Sequence, residues 1–336
     1  MEITVLRVTK RVGGGDAYLD LLLRVLKRRH LVHETIWPRA DQKPRRFVTK
    51  PRQIVWLARI SGSMDLWIRD PLSVAVYPVM KTRGKNLALF YHLDTSVMPK
   101  LGLSRVLERL CYRNLPKMDS VVVISQFWAE ALRKKGVASP VLIPYGFDLS
   151  EFDIGEEEVE QFKRDKGLTA KPIVYLGNCQ RAKGVVEAYL SLRDEPYHLV
   201  TSGEPRVSLP CRNLFLPRRQ YLCLLKASSV TVTMSKFKEG WCLTAHESLL
   251  CGTPVVGSGT GGMRELLERG GQLICRDFDN LPEMVSLALE RVREMGAAGR
   301  KFAEQFTLGK FEAAWCQLLS SLEEYGTEPS LEHLRS

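Results

Sequence analysis

The apolar positions of this chain change period repeatedly, and the changes mark out elements. Ile3 to Val8 alternates apolar and polar residues as a half-buried strand does. Gly13, Gly14 and Gly15 follow. Leu19, Leu22, Leu23 and Leu26 then recur at spacings of three and four, which places them on one face of a helix. Asp16 stands where a cap for that helix belongs, and Arg24, Lys27, Arg28 and Arg29 crowd its end, where cations suit the helix dipole. Strand, glycine turn and helix form the opening unit of a doubly wound sheet. Short apolar runs at Ile54 to Ala58, Val74 to Val76, Leu87 to Tyr91 and Val121 to Ile124 read as further strands, with helices around Arg105 to Tyr112 and Trp128 to Lys134. The stretch from Thr35 to Arg52 is rich in Pro, Arg and Lys, has no period, and reads as a mobile basic loop.

A short strand lies within Pro140 to Asp148, and the densely charged run from Glu156 to Lys166 follows it. There the alternation restarts. Strands are expected at Ile173 to Leu176, Tyr197 to Thr201, Val230 to Met234, Pro254 to Val256 and Leu273 to Cys275. Helices are expected from Lys183, near Arg219 to Ala227, at Leu243 to Leu250 and from Met263; long helical patterns at Leu281 to Gln305 and Lys310 to Leu322 close the chain. The expected organisation is an α/β fold of two Rossmann-like units, residues 1–150 and 151–308, with a helix at 309–325 returning to the first. A cleft between the carboxyl ends of two such sheets is where ligands bind.

Composition narrows the class. The chain of 336 residues is 45% hydrophobic and 26% charged, as globular domains are, and its length favours two domains over one. No run is long and apolar enough to suggest a membrane span, and the opening Met1-Glu2-Ile3-Thr4 reads as a strand start rather than a secretory signal, so the expected compartment is the cytoplasm. Of the eight cysteines (Cys111, Cys179, Cys211, Cys223, Cys242, Cys251, Cys275 and Cys316), none forms a C-x-x-C pair, which fits small buried side chains rather than a zinc site. The net charge of +11 is uneven: 26 basic against 12 acidic residues up to Leu149, but 23 against 26 from Ser150 onward. A first domain this basic suits an anionic partner, either a membrane surface or, with less support from aromatic residues, a nucleic acid.

The most informative stretch runs from Val230 to Leu267. A buried strand leads into a loop with Lys236, Lys238, Glu239 and Gly240; a helix from Leu243 carries Glu247; Gly252-Thr253-Pro254 ends it; Gly257 to Gly262 holds four glycines. Backbone amides of such a turn and the starts of two helices can meet phosphate oxygens, and a carboxylate one turn into a helix can take a ribose diol. The run Glu239-Gly240-Trp241-Cys242-Leu243, then Glu247, Gly252-Thr253-Pro254-Val255-Val256, Gly261-Gly262 and Glu265 resembles the donor-site signature of glycosyltransferase family 4. Gly13-Gly14-Gly15 with the leucine helix and His30, Val141 to Asp148, Ile173 to Gly177, and Lys183-Gly184 are similar to other landmarks of that family.

The resemblance implies a GT-B architecture and a retaining transferase that uses a nucleotide-diphosphate sugar. It implies roles for matched positions: Glu247 on the ribose, Glu239 and His92 at the donor sugar, Lys183 on the leaving diphosphate, and Gly14 and Gly15 in a loop that approaches donor or acceptor. Gly240, Trp241, Cys242, Leu243, Gly261 and Gly262 complete the expected donor site. The pattern departs from the family at Asn178, where an Arg is usual, with Arg181 as a substitute charge, and at Cys242, where a Gly is common. No metal or other cofactor is expected, because cations and helix starts can stabilise the diphosphate. The expected acceptor is a sugar, glycan or lipid-linked hydroxyl, with Arg24, Lys27, Arg28, Arg29 and residues 39–52 as membrane contacts. A GT-B epimerase or phosphorylase, or a basic binding protein without transfer activity, remain the alternatives.

Overall fold

The computed structural model describes residues 1–7, 14–37, 46–93 and 102–324. The first unit contains strands β1 (Glu2–Arg7), β2 (Leu31–Ile36), β3 (Ser61–Arg69), β4 (Lys81–Phe90), β5 (Ser120–Val123) and β6 (Val141–Leu142). Its helices are α1 (Gly14–Leu26), α2 (Arg46–Ala58), α3 (Pro71–Val76), α4 (Gly102–Asn114) and α5 (Gln126–Arg133). All strand pairs are parallel, in the order β2-β1-β3-β4-β5-β6. The second unit holds α6 (Glu156–Lys166), β7 (Ile173–Asn178), α7 (Val185–Leu192), β8 (His198–Ser202), β9 (Arg212–Leu214), α8 (Arg218–Ala227), β10 (Val230–Thr233), α9 (Leu243–Leu250), β11 (Val255–Gly257), α10 (Met263–Arg269) and β12 (Leu273–Ile274). Its parallel sheet runs β12-β11-β10-β7-β8-β9. Strand order reverses between β1 and β3 in one sheet and between β7 and β10 in the other, and each reversal opens a crevice at the strand ends. Helices α11 (Leu281–Glu290), α12 (Val292–Ala303) and α13 (Leu308–Glu324) complete the chain.

The apolar runs at Ile54 to Ala58 and Val74 to Val76 are helical, not extended as the pattern suggested. In α2, Gln53 and Leu57 are buried four residues apart while Val55 stays half exposed, which is a helical burial period. In α3, the Asp70 carboxylate accepts from the Ser73 amide at 2.8 Å with Pro71 in the first turn, a start signal that outweighs two β-prone valines. The strands that fill the expected places are β2 and β3. β2 is an edge strand with Leu31 and Ile36 exposed, and β3 buries only its last four residues, so neither shows clean alternation. Part of the loop expected at Thr35 to Arg52 belongs to β2 and α2; residues 38–45 lie outside the described residues. Gly13 and the last residue of the expected first strand, Val8, also lie outside them. Asp16 does not cap α1, which begins at Gly14; its carboxylate instead holds the Arg7 guanidinium at 2.6 Å. The pattern from Leu281 to Gln305 is two helices, broken at Arg291.

The chain passes between the two units twice, and the two passages hydrogen-bond to each other. The Phe147 amide donates to the Phe306 carbonyl and the Leu308 amide to the Phe147 carbonyl, both at 2.9 Å. His246 of α9 stacks on Phe147 at 4.2 Å and meets Phe306 edge-on at 4.9 Å. Its Nδ1 accepts from Trp241 Nε1 at 2.8 Å, and Nε2 donates to the Ala303 carbonyl at 3.1 Å. Helix α13 lies on the first unit: Trp315 Nε1 donates to the Tyr18 hydroxyl at 3.2 Å, which donates to the Ile143 carbonyl at 2.8 Å, and Arg28 pairs with Glu312 at 2.8 Å.

Burial pushes the His246 imidazole down from 6.5 to about 3. The unfolded chain therefore binds a proton near 6.5 that the folded protein refuses until about 3, so each step down in that window favours unfolding. Folding stability is expected to fall between these values by roughly 1.4 kcal/mol per pH unit from this side chain alone. His246→Gln, which keeps a donor toward Ala303 and takes up no proton, should flatten that decline in urea melts between pH 6 and 4. Equal slopes in parent and variant would show that the imidazole is not what makes the fold acid-sensitive.

Candidate active site

The carboxyl ends of β7 and β10 and the start of α9 enclose a recess lined by Gly177, Asn178, Lys183, Ser235, Cys242 and Thr244. Lys183 reaches it from a 3-10 turn (Arg181–Lys183) that follows β7. Its Nζ lies 2.5 Å from Glu239 Oε1, which also accepts from Ser235 Oγ at 2.5 Å. Burial opposes the lysine's charge, but the field of Glu239 outweighs it and lifts the Lys183 pKa above its ordinary value, so the ammonium is kept. Lys183 also sits 4.9 Å over the Phe237 ring, and the His92 ring faces the same phenyl at 5.7 Å. His92 is solvent-exposed at the end of β4, so the first unit contributes it across the cleft.

The backbone that carries Glu239 is fixed from three sides. The Glu239 amide donates to the Thr260 carbonyl at 3.2 Å, and its carbonyl accepts from the Gly262 amide at 2.9 Å. The same carbonyl accepts from Trp128 Nε1 of α5 in the first unit at 3.0 Å. Glu265 adds a second bridge, accepting from the Gln126 amide at 2.9 Å. A Cβ on Gly240 would stand 2.6 Å from the Tyr91 carbonyl, and one on Gly262 only 2.0 Å from the Gly240 carbonyl. Glycine at these two places lets three stretches of backbone meet. Gly261, at φ +68°, pairs with Glu239 in an isolated bridge. Gly14 and Gly15 open α1 and pack on Leu243 and the Tyr91 ring, so they bring the first unit against the start of α9.

Cys242 is the one non-glycine residue with positive φ among the described residues, at φ 79° and ψ 78°. That is a conformation where glycine is easier, which accounts for glycine being common there. Its thiol, walled in beside Glu239, is pushed up to about 12 and stays protonated. Trp241 is not brought to the recess: its indole is buried against His246 and Phe306, beneath the loop. The Arg181 side chain is exposed and makes no hydrogen bond or ion pair among the described residues, and Asn178 lines the recess.

Glu247 is buried on α9, with both oxygens engaged. Arg218 at the start of α8 pairs with Oε1, and the Tyr221 hydroxyl donates to Oε2 at 3.1 Å. Arg218 continues to Glu151 at 2.9 Å, at the end of the passage between the units. Burial raises the Glu247 pKa, and Arg218 works against that rise.

On the opposite wall, a recess of about 210 Å³ opens at the ends of β1, β3 and β4, with Arg7, Asp16, Asp70 and Tyr91 among its lining. Arg7 is buried and paired with Asp16 at 2.6 Å and Asp20 at 2.7 Å. The Tyr91 hydroxyl is buried there without a hydrogen-bond partner, and burial together with Tyr18, Asp70 and Asp16 raises its pKa far above the ordinary value. A buried hydroxyl left unpaired beside a recess that also holds Arg7, Asp16 and Asp70 is suited to receive a ligand group. Arg7, Asp70, Tyr91, Trp128, Arg218, Tyr221 and Phe237 are residues that sequence reasoning missed; only Phe237, two places before Glu239, lay near the recognisable run.

Residues 156–305 match the family described as glycosyl transferases group 1. A GDP-mannose-dependent α-(1-6)-phosphatidylinositol dimannoside mannosyltransferase of Mycobacterium tuberculosis is 24% identical over 246 residues, covering 67% of this chain and 64% of the relative. TuaC of Bacillus subtilis, named for teichuronic acid biosynthesis, is 29% identical over 157 residues, 44% of this chain and 40% of the relative. The matched region thus spans less than two thirds of either relative. Among solved structures, sucrose-phosphate synthase from Thermosynechococcus elongatus superposes with TM-score 0.77 at 20% identity, covering 96% of this chain and 99% of the other. Anabaena HepE in complex with UDP and glucose gives 0.74 at 16% identity, covering 96% and 100%. The fold is GT-B over the 96% of the chain that these structures cover, and residues 156–305 are similar to the group 1 glycosyltransferases. Among the described residues, no helix is long and apolar enough to cross a membrane.

Because a Cβ at Gly262 meets fixed backbone, Gly262→Ala is expected to lower the melting temperature and weaken ligand binding in the recess. Gly155→Ala, where a Cβ meets nothing within 4 Å, should change neither. Differential scanning calorimetry of the two variants separates them; a Gly262→Ala protein as stable as the parent would refute the close approach.

Proposed function

We propose that the chain is a retaining glycosyltransferase that moves a hexose-type sugar from a nucleoside-diphosphate donor to an acceptor hydroxyl. The observation that carries this reading is the Lys183–Glu239 pair at the β7/β10 reversal, with Glu247 buried one helix turn beyond. Departure of a nucleoside diphosphate builds negative charge, and a pre-placed ammonium stabilises it where water is excluded. Lys183 answers that need, with the exposed Arg181 as a second cation at the mouth. Glu247 reads the ribose diol: each carboxylate oxygen has two lone pairs, so Arg218 and Tyr221 leave room for two hydroxyl donors. Glu239 and His92 bracket the sugar. The names of the mannosyltransferase relative and of the UDP-containing HepE structure support a nucleotide sugar as donor.

The acceptor enters from the first unit, where the unpaired Tyr91 hydroxyl and the Arg7–Asp16 pair await a polyhydroxyl group. Retention follows if the acceptor hydroxyl attacks from the leaving-group side and passes its proton to the departing phosphate, which calls for no separate base. Lipid-linked acceptors suit the basic first unit. Lys27 is paired with Glu34 and Arg28 with Glu312, so Arg24 and Arg29 are the freer membrane contacts of that cluster.

Thermal shift against UDP, GDP and ADP tests the donor site, since a ligand bound to the folded state raises the melting temperature. One nucleotide is expected to stabilise the parent and to leave Glu247→Ala unmoved. No shift with any nucleotide would overturn the reading. With electrostatic stabilisation supplied by Lys183, we also expect turnover of the donor to survive EDTA unchanged; loss of turnover, restored by Mg²⁺ or Mn²⁺, would contradict it.

A further inference from the structure

Beyond the donor recess, the second unit carries another cavity that the proposed reaction does not use. At the carboxyl ends of β10, β11 and β12 the chain leaves a recess of about 470 Å³, whose lining includes Lys236, Ser258, Thr260, Arg264, Arg276 and Phe278. Three cations line it and no carboxylate does. Lys236 pairs with Glu187 at 2.5 Å and Arg264 with Glu268 at 2.7 Å, both exposed contacts that contribute little and that a stronger anion can displace. Arg276 is exposed and makes no hydrogen bond or ion pair among the described residues. In the turn forming one wall, the amides of Gly259 and Thr260 donate to no backbone carbonyl among the described residues, and Gly259 takes φ +64°. Unpaired amides beside converging cations make an anion cradle.

We propose that this recess is a second anion site, for the phosphate of a ligand other than the sugar donor. Phosphate fits better than a lone carboxylate, because a dianion can meet Arg264, Arg276 and Lys236 together, and guanidinium forks match its oxygens. The wall that would receive it also holds the catalytic loop. Ser258 Oγ donates to the Ser235 carbonyl at 2.9 Å, Thr260 Oγ1 lies 3.0 Å from the Phe237 carbonyl, and the Thr260 carbonyl accepts the Glu239 amide. A phosphate here would brace the strap that positions Glu239. The site stands independently of the donor assignment, since it contains none of Lys183, Glu239 or Glu247.

The test is a thermal-shift titration of the full chain with inorganic phosphate at low ionic strength, against chloride at matched ionic strength. It is run on the parent, on Lys183→Ala with Glu247→Ala, and on Arg264→Gln with Arg276→Gln. Both cations being exposed, the last variant should melt with the parent when phosphate is absent. The expected result is phosphate stabilisation in the parent and in the donor-site variant, weakened about tenfold or more in the Arg264/Arg276 variant. Stabilisation that disappears in the donor-site variant and persists without the two arginines, or that chloride reproduces, overturns the proposal. A soluble sugar phosphate that competes through the same arginines assigns the site to a soluble ligand. Competition by phosphatidylinositol vesicles, and not by phosphatidylcholine vesicles, assigns it to a lipid headgroup; either result upholds the site.

Discussion

The contact between Lys183 and Glu239, 2.5 Å from Nζ to Oε1, is the interaction around which the molecule is arranged. Two partly buried charges are unfavourable unless each answers the other and the remaining atoms are hydrogen-bonded. Ser235 supplies part of that satisfaction to the carboxylate, and the lysine also lies against the Phe237 ring. Because the carboxylate holds the ammonium in its charged form, the site keeps a positive group ready before any anion arrives. In the proposed transfer, reorganisation at the moment of bond breaking would thereby be small, as electrostatic stabilisation requires.

Glu239 can be placed there only because backbone segments approach closely around it. Gly262 and Gly240 remove the side chains that would hold them apart, and the Glu239 carbonyl ties α5 of the first unit to the loop through Trp128. The Glu239 backbone is thus fastened to both halves of the chain. The crossed passages at Phe147 and Phe306, with His246 packed against both rings, join the two units on the other side of α9. Motion of one unit relative to the other would act directly on Glu239, the residue proposed to lie at the donor sugar.

Much of the second unit was legible in the sequence, because its central strands β7, β10 and β11 are buried almost throughout and read as short, mostly apolar runs. The expected helix Leu243 to Leu250 is α9, and the glycine-rich run forms the turn that meets Glu239. The first unit was harder to read. The edge position of β2 and the polar first half of β3 hide their period, and five consecutive apolar residues at Ile54 to Ala58 fit helix and strand alike. At the site, Glu239, Glu247 and Lys183 lie in recognisable runs. Arg218, Trp128, Tyr91 and Arg7 do not: each is brought in by tertiary packing from a distant part of the chain, where a single Arg or aromatic residue carries no local signal.

The central proposed role is stabilisation of a leaving diphosphate by the Lys183 ammonium. The measurement is release of nucleoside diphosphate from the donor that binds, compared between the parent, Lys183→Ala and Lys183→Arg. Loss of a pre-placed charge predicts that kcat falls on the order of 100-fold or more in Lys183→Ala, with partial recovery in Lys183→Arg and nucleotide affinity changed far less than kcat. Turnover by Lys183→Ala at the parent's rate would contradict the account.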